Sequence, residues 1–385
     1  MINRIIVIII IFILCSCVKQ EENINIEEYP KEIKKIEVLN DNLFVLSDFG
    51  LYFIEQKSNE AEKIKFDDNL YPIDILAYDG IFYTLGISNY KLKLVAKNNN
   101  GWNQVQLPGR INSDFINKTV EQYTKHHKED PGFSEKYDGY NENDPDNFHK
   151  EFNLRKILTD KIFLNKDKSL ILITGDSIYY RVNEDWIPRR IREIEGFLGN
   201  DDSKIAQINI IKDSILYYGQ NNGEWDGFCA CLDFREQNPE WKYFLSDNIS
   251  GLILDSAFGS FWYSTSLKHM GLIKGTLSYF KEEKNKILVD FSNDEQIKNK
   301  FNMKQGTVVR QIEKINDNII MLTEAGLYIY KNNFVNKLLD DFGEFKIFKI
   351  DSKGNIYIDT KKRGFLKCTP VNENYKMSKI SFPDE

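Results

Sequence analysis

The residues best equipped for chemistry lie in two stretches. In Gln220-Asn-Asn-Gly-Glu-Trp-Asp-Gly227, Trp225 stands between Glu224 and Asp226. An indole stacks on a sugar ring or a cation while flanking carboxylates take hydroxyl hydrogens. With Gly223 and Gly227 as turn residues, the same run also reads as a loop whose Trp folds onto its own sheet. The second stretch holds His126, His127 and His149, three of the four histidines, among Glu129, Asp130, Asp144 and Asp146. Those residue types invite a metal, but the spacing does not. Neither His-x-x-x-His nor His-Glu-x-x-His occurs, and adjacent helical residues point about 100° apart. Asp144-Pro145-Asp146 also departs from a calcium loop, which needs Gly at its sixth position. The expectation is no metal and no cofactor, these histidines being the only weak candidates.

Catalysis has little local support. No Gly-x-Ser-x-Gly elbow, phosphate-cradling loop or histidine-bearing triad spacing is present. His269 precedes Met270-Gly271 in a turn, and the paired acids Asp201-Asp202 and Asp340-Asp341 sit in turn-rich sequence. No catalytic residue is assigned. An enzyme would have to assemble distant Asp and Glu side chains around a common cavity. With 51 Lys+Arg against 58 Asp+Glu the net charge is -7, which excludes a non-specific nucleic-acid binder. The 42% hydrophobic and 13% aromatic content argues for a packed fold.

The N-terminus reads as an address. Arg4 precedes an unbroken apolar run from Ile5 to Leu14, too short to span a bilayer and suited to a signal peptide. Leu14-Cys15-Ser16-Cys17 follows and resembles the lipobox of bacterial lipoproteins. The small Ser16 before the cleaved bond makes Cys17, rather than Cys15, the residue to carry diacylglycerol. That resemblance implies a signal peptide over 1–16, a lipidated tether over 17–32, and attachment to the cell envelope, expected at the outer membrane. Lys19 followed by Glu21 and Glu22 is similar to the surface-export signal of some Bacteroidetes lipoproteins. Cys229, Cys231 and Cys368 are the only later cysteines, and the first two are too close along a strand for an unstrained disulfide.

Downstream the chain repeats. Leu39-Asn-Asp-Asn-Leu-Phe-Val-Leu-Ser-Asp-Phe-Gly-Leu-Tyr-Phe-Ile54 aligns without a gap on Ile315-Asn-Asp-Asn-Ile-Ile-Met-Leu-Thr-Glu-Ala-Gly-Leu-Tyr-Ile-Tyr330. Asn and Asp tolerate the left-handed backbone of a tight turn, and each apolar run that follows is strand-like. Turn-strand marks fall at Leu43, Ile81, Leu170, Ile215, Phe261, Ile319 and Ile356, spaced 38, 89, 45, 46, 58 and 37 residues. The interval of 89 contains a polar stretch over 110–155, whose removal restores the period of about 40–45 residues typical of β-propeller blades. Asp114 to His127 reads as a helix in that insertion. Outer strands with an aromatic follow at Gly101-Trp102, Asp185-Trp186 and Glu240-Trp241, and Ser260 to Thr265 leads to a further strand at Gly271-Leu272-Ile273.

The pattern apolar-x-apolar-x-Thr/Ser-x-x-Gly-Leu-apolar resembles blades of bacterial periplasmic propellers of the two-component-regulator type. The Trp-x-Gly-Thr core of those blades is not intact here, Trp262-Tyr263-Ser264-Thr265 being nearest. The expected fold is therefore all-β, a seven-bladed β-propeller over 33–385 with one polar, partly helical insertion; six or eight blades also fit the marks. The expected function is a lipid-anchored binding or scaffolding module for an envelope or secreted protein or a carbohydrate, with Glu224, Trp225 and Asp226 as contact residues. The alternative is a glycoside hydrolase or polysaccharide lyase working in the axial channel.

Overall fold

The structure is a computed structural model and describes residues 32–66, 69–88, 91–98, 101–109, 111, 162–174, 177–190, 206–221, 227–236, 240–257, 259–269, 272–341, 343–371 and 374–383. They form seven four-stranded antiparallel sheets, each from one continuous stretch of chain. Blade 1 holds β1–β4 (Ile33–Leu39, Asn42–Ser47, Gly50–Ile54, Glu62–Lys63), and blade 2 holds β5–β8 (Tyr71–Tyr78, Ile81–Ser88, Lys91–Asn98, Gly101–Val105). Blade 3 is β9–β12 (Phe163–Lys166, Leu170–Ile173, Ser177–Val182, Asp185–Arg190), and blade 4 is β13–β16 (Ala206–Lys212, Ile215–Asn221, Gly227–Asp233, Trp241–Leu245). Blade 5 begins with β17 and β18 (Ile249–Leu254, Phe261–Thr265). It inserts a small hairpin, β19–β20 (Leu267–His269, Leu272–Lys274), and ends with β21 and β22 (Thr276–Lys281, Lys284–Asp290). A short helix, α1 (Glu295–Lys300), leads to blade 6, β23–β26 (Val309–Ile315, Asn318–Thr323, Gly326–Lys331, Phe334–Asp340). Blade 7 is β27–β30 (Phe345–Ile350, Ile356–Thr360, Gly364–Val371, Asn374–Lys379). The first strands neighbour one another around the ring, β27 next to β1, so the sheets form a seven-bladed β-propeller.

All seven turn-strand marks fall in second strands, and Trp102, Trp186 and Trp241 lie on outer strands. One reading needs correction. Leu272 and Ile273 belong to the extra hairpin, and the third strand of blade 5 starts at Thr276. The apolar run was read correctly as strand, but ten residues of hairpin separate Thr265 from its partner Thr276.

No single core exists. Seven hydrophobic clusters each fill one seam between neighbouring blades. Strand alternation explains this, because successive side chains face opposite sides of the sheet. In β24, Ile319 and Met321 pack towards blade 5, whereas Ile320 and Leu322 pack towards blade 7. Continuous apolar runs such as Leu170–Ile173 follow from burial on both faces.

The Ser/Thr of the repeat has a structural reason. Ser47, Ser88, Thr265, Thr323 and Thr360 end the second strands of blades 1, 2, 5, 6 and 7, Thr174 directly follows that of blade 3, blade 4 has Asn221 instead, and all are buried. Thr323 Oγ1 donates to Gly326 O at 2.9 Å and accepts from Ala325 N at 3.0 Å. Thr360 Oγ1 donates to Gly364 O at 2.9 Å and accepts from Arg363 N at 2.9 Å, and Ser47 Oγ accepts from Phe49 N at 3.1 Å. A hydroxyl at that corner satisfies backbone groups that the reversal leaves without ladder partners. The following glycine is needed at Gly326, where φ is +132° and an added Cβ would meet Leu339 O at 2.2 Å.

Candidate functional site

Antiparallel order sends the chain's connections to two ends of the disc. First-to-second and third-to-fourth turns leave at one end, and several are two-residue turns with both φ positive. Asn40-Asp41, Asn183-Glu184, Asp213-Ser214, Glu282-Glu283 and Asn332-Asn333 are of this kind. Most connections on this turn face are two to three residues long, the longer ones being 55–61, 234–240, 255–260 and 351–355. Second-to-third loops and blade-to-blade connections leave at the opposite, broad face. There the described chain carries the β19–β20 hairpin and the α1 connection, and there it departs at Ile111 and returns at Ile162. Ile111 and Ile162 are both buried in the seam of blades 2 and 3, so the long insertion leaves and rejoins the disc at one place.

The hairpin is pinned at its root. Asn221 Nδ2 donates to Ser266 O at 2.8 Å, and Lys274 meets both oxygens of Asp247 at 2.9 and 2.8 Å. Lys268 and Arg310 share Glu324 at 2.8 and 2.7 Å. Burial alone would raise the Glu324 carboxyl, but these two cations hold it below the usual range. Asn221 and Gly227 flank in sequence the segment with Glu224, Trp225 and Asp226, and Asn221 itself sits at the hairpin root. Glu224, Trp225, Asp226, Cys17, His126, His127 and His149 themselves lie outside the described residues, as does the 110–155 insertion apart from Ile111. Among the described residues no group of three or more His, Cys, Asp or Glu could hold a metal.

The axial side carries a feature that sequence reading missed. In five blades the inner strand has a bulge at the same register, at Ile33/Lys35, Pro72/Asp74, Ile249/Gly251, Val309/Gln311 and Phe345/Ile347. A bulge re-aims the next side chain. In blades 1, 2 and 6 that residue reaches the following blade. Lys35 Nζ meets Asp74 Oδ1 at 2.8 Å, and Asp74 Oδ2 accepts from Leu164 N at 2.7 Å. Gln311 accepts from Phe348 N at 3.1 Å and donates to Phe348 O at 2.9 Å. Two residues on, Glu313 Oε1 meets Lys349 Nζ at 3.0 Å and Oε2 accepts from Ile350 N at 3.3 Å. Ser250 Oγ donates to Val309 O. Each contact caps an inner-edge backbone group or ion of the neighbouring blade, where no further strand can pair.

Burial opposes the charge on Lys35 and Lys349. The carboxylates outweigh it, Asp74 then Glu37 for Lys35 and Glu313 then Glu37 for Lys349, and raise both lysines. Burial pushes the Glu313 carboxyl up in spite of Lys349. The thiols of Cys229, Cys231 and Cys368 are buried and free, and burial raises them, Cys231 to about 11 and Cys368 to about 12. Such thiols pack as small hydrophobes and are poor nucleophiles.

No family model matches the chain, and no curated protein sequence matches it. Solved structures do. The extracellular domain of a hybrid two component system from B. thetaiotaomicron is similar, with a TM-score of 0.51 and 12% identity over 90% of this chain and 39% of that one. This chain thus spans about two fifths of that domain's length. The β-propeller domain of the Trilobed protease from Pyrococcus furiosus, described as having an open velcro topology, gives a TM-score of 0.51 at 7% identity, covering 93% and 97% of the two chains. At these identities the likeness is one of fold.

Proposed function

We propose that the chain is a binding or scaffolding module of the bacterial cell envelope, held by lipid on Cys17 and meeting an envelope or secreted protein through its broad face. The observation that carries this reading is the contrast between the two faces. The broad face gathers the hairpin, α1 and both ends of the long insertion, while the turn face consists largely of minimal turns. Loops borne on a rigid scaffold are where contact residues concentrate. The likeness to a domain described as extracellular supports the envelope setting. The chain also enters blade 1 on the broad face, at the end of the expected tether.

The axial hydrolase or lyase reading has one observation in its favour, the raised Glu313. Both oxygens of that carboxylate are engaged, by Lys349 and by the Ile350 amide, so it acts as a brace between blades 6 and 7.

Cross-linking mass spectrometry on native membranes tests the proposal. Partner cross-links should concentrate on broad-face lysines such as Lys268, Lys304 and Lys361. Cross-links confined to Lys168, Lys284 and Lys331 on the turn face would reject it. Cys17→Ser should move the protein out of the detergent phase, and retention there would remove the anchor. A carbohydrate partner predicts glycan-array binding that Trp225→Ala abolishes.

A further inference from the structure

Among the described residues each blade completes its own four strands, and none of these sheets mixes strands from the two ends of the described chain. What spans the last seam is the segment after β30. Ile380 N donates to Phe365 O at 2.9 Å, which extends blade 7 by one residue. The chain then crosses to blade 1. Ser381 forms a parallel bridge with Glu60, its amide donating to Asn59 O at 2.8 Å and its carbonyl accepting from Ala61 N at 2.8 Å. Phe382 follows into the seam, its ring 4.9 Å from Tyr52 of blade 1 and 6.0 Å from Phe365 of blade 7. Ile380 and Phe382 are buried there among Ile33, Leu43, Tyr52 and Tyr357.

The inner side of this seam is built differently. At the bulge position that clasps the next blade in blades 1, 2 and 6, blade 7 has Ile347, which like Gly251 of blade 5 carries no hydrogen-bonding side chain. Two residues on, Lys349 is turned back to Glu313 of blade 6. The remaining polar contacts between the two blades include Lys353 to Asp41 at 2.8 Å, Ser352 to Asp41 at 2.9 Å, Lys353 to Gln56 at 2.8 Å, Ser378 of β30 to Asn59 at 3.2 Å, and Lys367 of β29 to the Gln56 carbonyl.

We propose that Ile380–Phe382 is a strap that holds the propeller shut, and that the seam between blades 7 and 1 is a gate through which the ring opens with all seven blades intact. Releasing the strap removes two backbone hydrogen bonds and two buried side chains from that seam and leaves every four-stranded sheet complete. The seams of blades 4 and 5 and of blades 6 and 7 are crossed by short connections, 246–248 and 341–344, so opening there would need a connection to stretch.

Hydrogen–deuterium exchange on the full chain and on a chain ending at Lys379 tests this, with Phe382→Ala as a second variant that keeps the backbone contacts. Sub-global opening shows as faster exchange confined to one cooperative region, about tenfold or more for removal of the strap. The increase is expected in β1–β3 and β27–β29, with β13–β16 unchanged. Phe382→Ala should give the same pattern at smaller amplitude. Exchange that rises evenly over all blades, or does not rise at the seam in either variant, overturns the proposal. If the shortened chain fails to fold, the Phe382→Ala pattern alone decides.

Discussion

The seams on either side of blade 7 solve one problem in two ways. Between blades 6 and 7, Gln311 and Glu313 reach across and cap the Phe348 and Ile350 backbone from the axial side. Between blades 7 and 1 the bulge position is Ile347, and the crossing contacts are made by loops, by Lys367 of β29 and by the residues after β30. The cross-strand pairs make the contrast sharper. Blades 1, 2 and 6 pair a polar inner residue with leucine: Lys35 with Leu46, Asp74 with Leu85, Gln311 with Leu322. Blade 7 inverts the pair, Ile347 with a fully buried Asp359. Covalent continuity holds blades 6 and 7 near each other, so short side-chain clasps suffice to set their register. The chain ends have no such help, and their seam relies on a buried apolar plug and backbone pairing on the rim.

The largest expected effect comes from the better-clasped seam. Gln311→Leu would leave the Phe348 N–H and C=O without their partner in a buried seam, where each such group costs about 1–3 kcal/mol, so a loss of about 3 kcal/mol is expected. Urea unfolding should show a lower midpoint with an unchanged slope; a loss under about 1 kcal/mol would mean the clasp is ornamental. Phe382→Ala comes next. A buried Phe→Ala change costs about 3–5 kcal/mol in a closed core, but Phe382 keeps 8% exposure and its neighbours can relax into the space, so about 2 kcal/mol is expected. Equal losses for the two variants would erase the distinction between the seams.

The ring itself was legible because its signals are local. Asn-Asp-Asn turns in blades 1 and 6, polar turns and short apolar strands in the others, and a Thr/Ser corner in six of the seven are all local, and each of the seven marks landed on a second strand. The clasps were not legible. Lys35 and Asp74 are 39 residues apart, Gln311 and Phe348 37, Glu313 and Lys349 36. Those separations match the repeat period, yet the residue types differ from blade to blade, so the pairing has no motif. The polar inner positions also looked like ordinary solvent-facing residues of strands. An intervals search for unlike polar residues at matched positions of successive repeats would have found them. The Glu224-Trp225-Asp226 segment depends on loop conformation rather than on strand pattern, so the residue types could suggest a contact but not its geometry.

Alkaline titration should produce a smaller effect. Lys35 and Lys349 have raised values in the folded chain, so their stabilising share is whole below the ordinary 10.5 and is lost as pH rises through the raised values. Both belong to the axial string of blades 6, 7, 1 and 2. Raised thiol and phenol values act in the same direction, because the unfolded chain ionises first. Thermal midpoints should therefore begin to fall at about pH 9 and steepen above about pH 10, and Lys349→Met should lessen the steeper part. A fall of the same steepness in the variant would place the alkaline loss elsewhere.

The smallest expected effect is the most discriminating. If the inverted pair of blade 7 reflects only how that seam is closed, restoring the pattern of the other blades should be tolerated. Ile347→Gln with Asp359→Leu recreates the Gln311–Leu322 arrangement at the last seam. Replacing a buried ion pair by apolar residues is often neutral or stabilising, whereas removing one partner alone costs stability unless the other reaches water, as Lys346, 3.9 Å from Asp359 and a third exposed, can. The double variant should be as stable as the parent or up to about 1 kcal/mol more so. It should also lessen the dependence on Phe382, so that Phe382→Ala costs less in the double variant than alone. The coupling follows because a glutamine at position 347 could clasp the inner edge of β1 as Gln311 clasps β27, giving the seam an axial hold independent of the rim. A double variant that unfolds more easily than the parent, with Phe382→Ala costing the same in both, would show that Asp359 has its own work in the seam and that the two seams are not interchangeable designs.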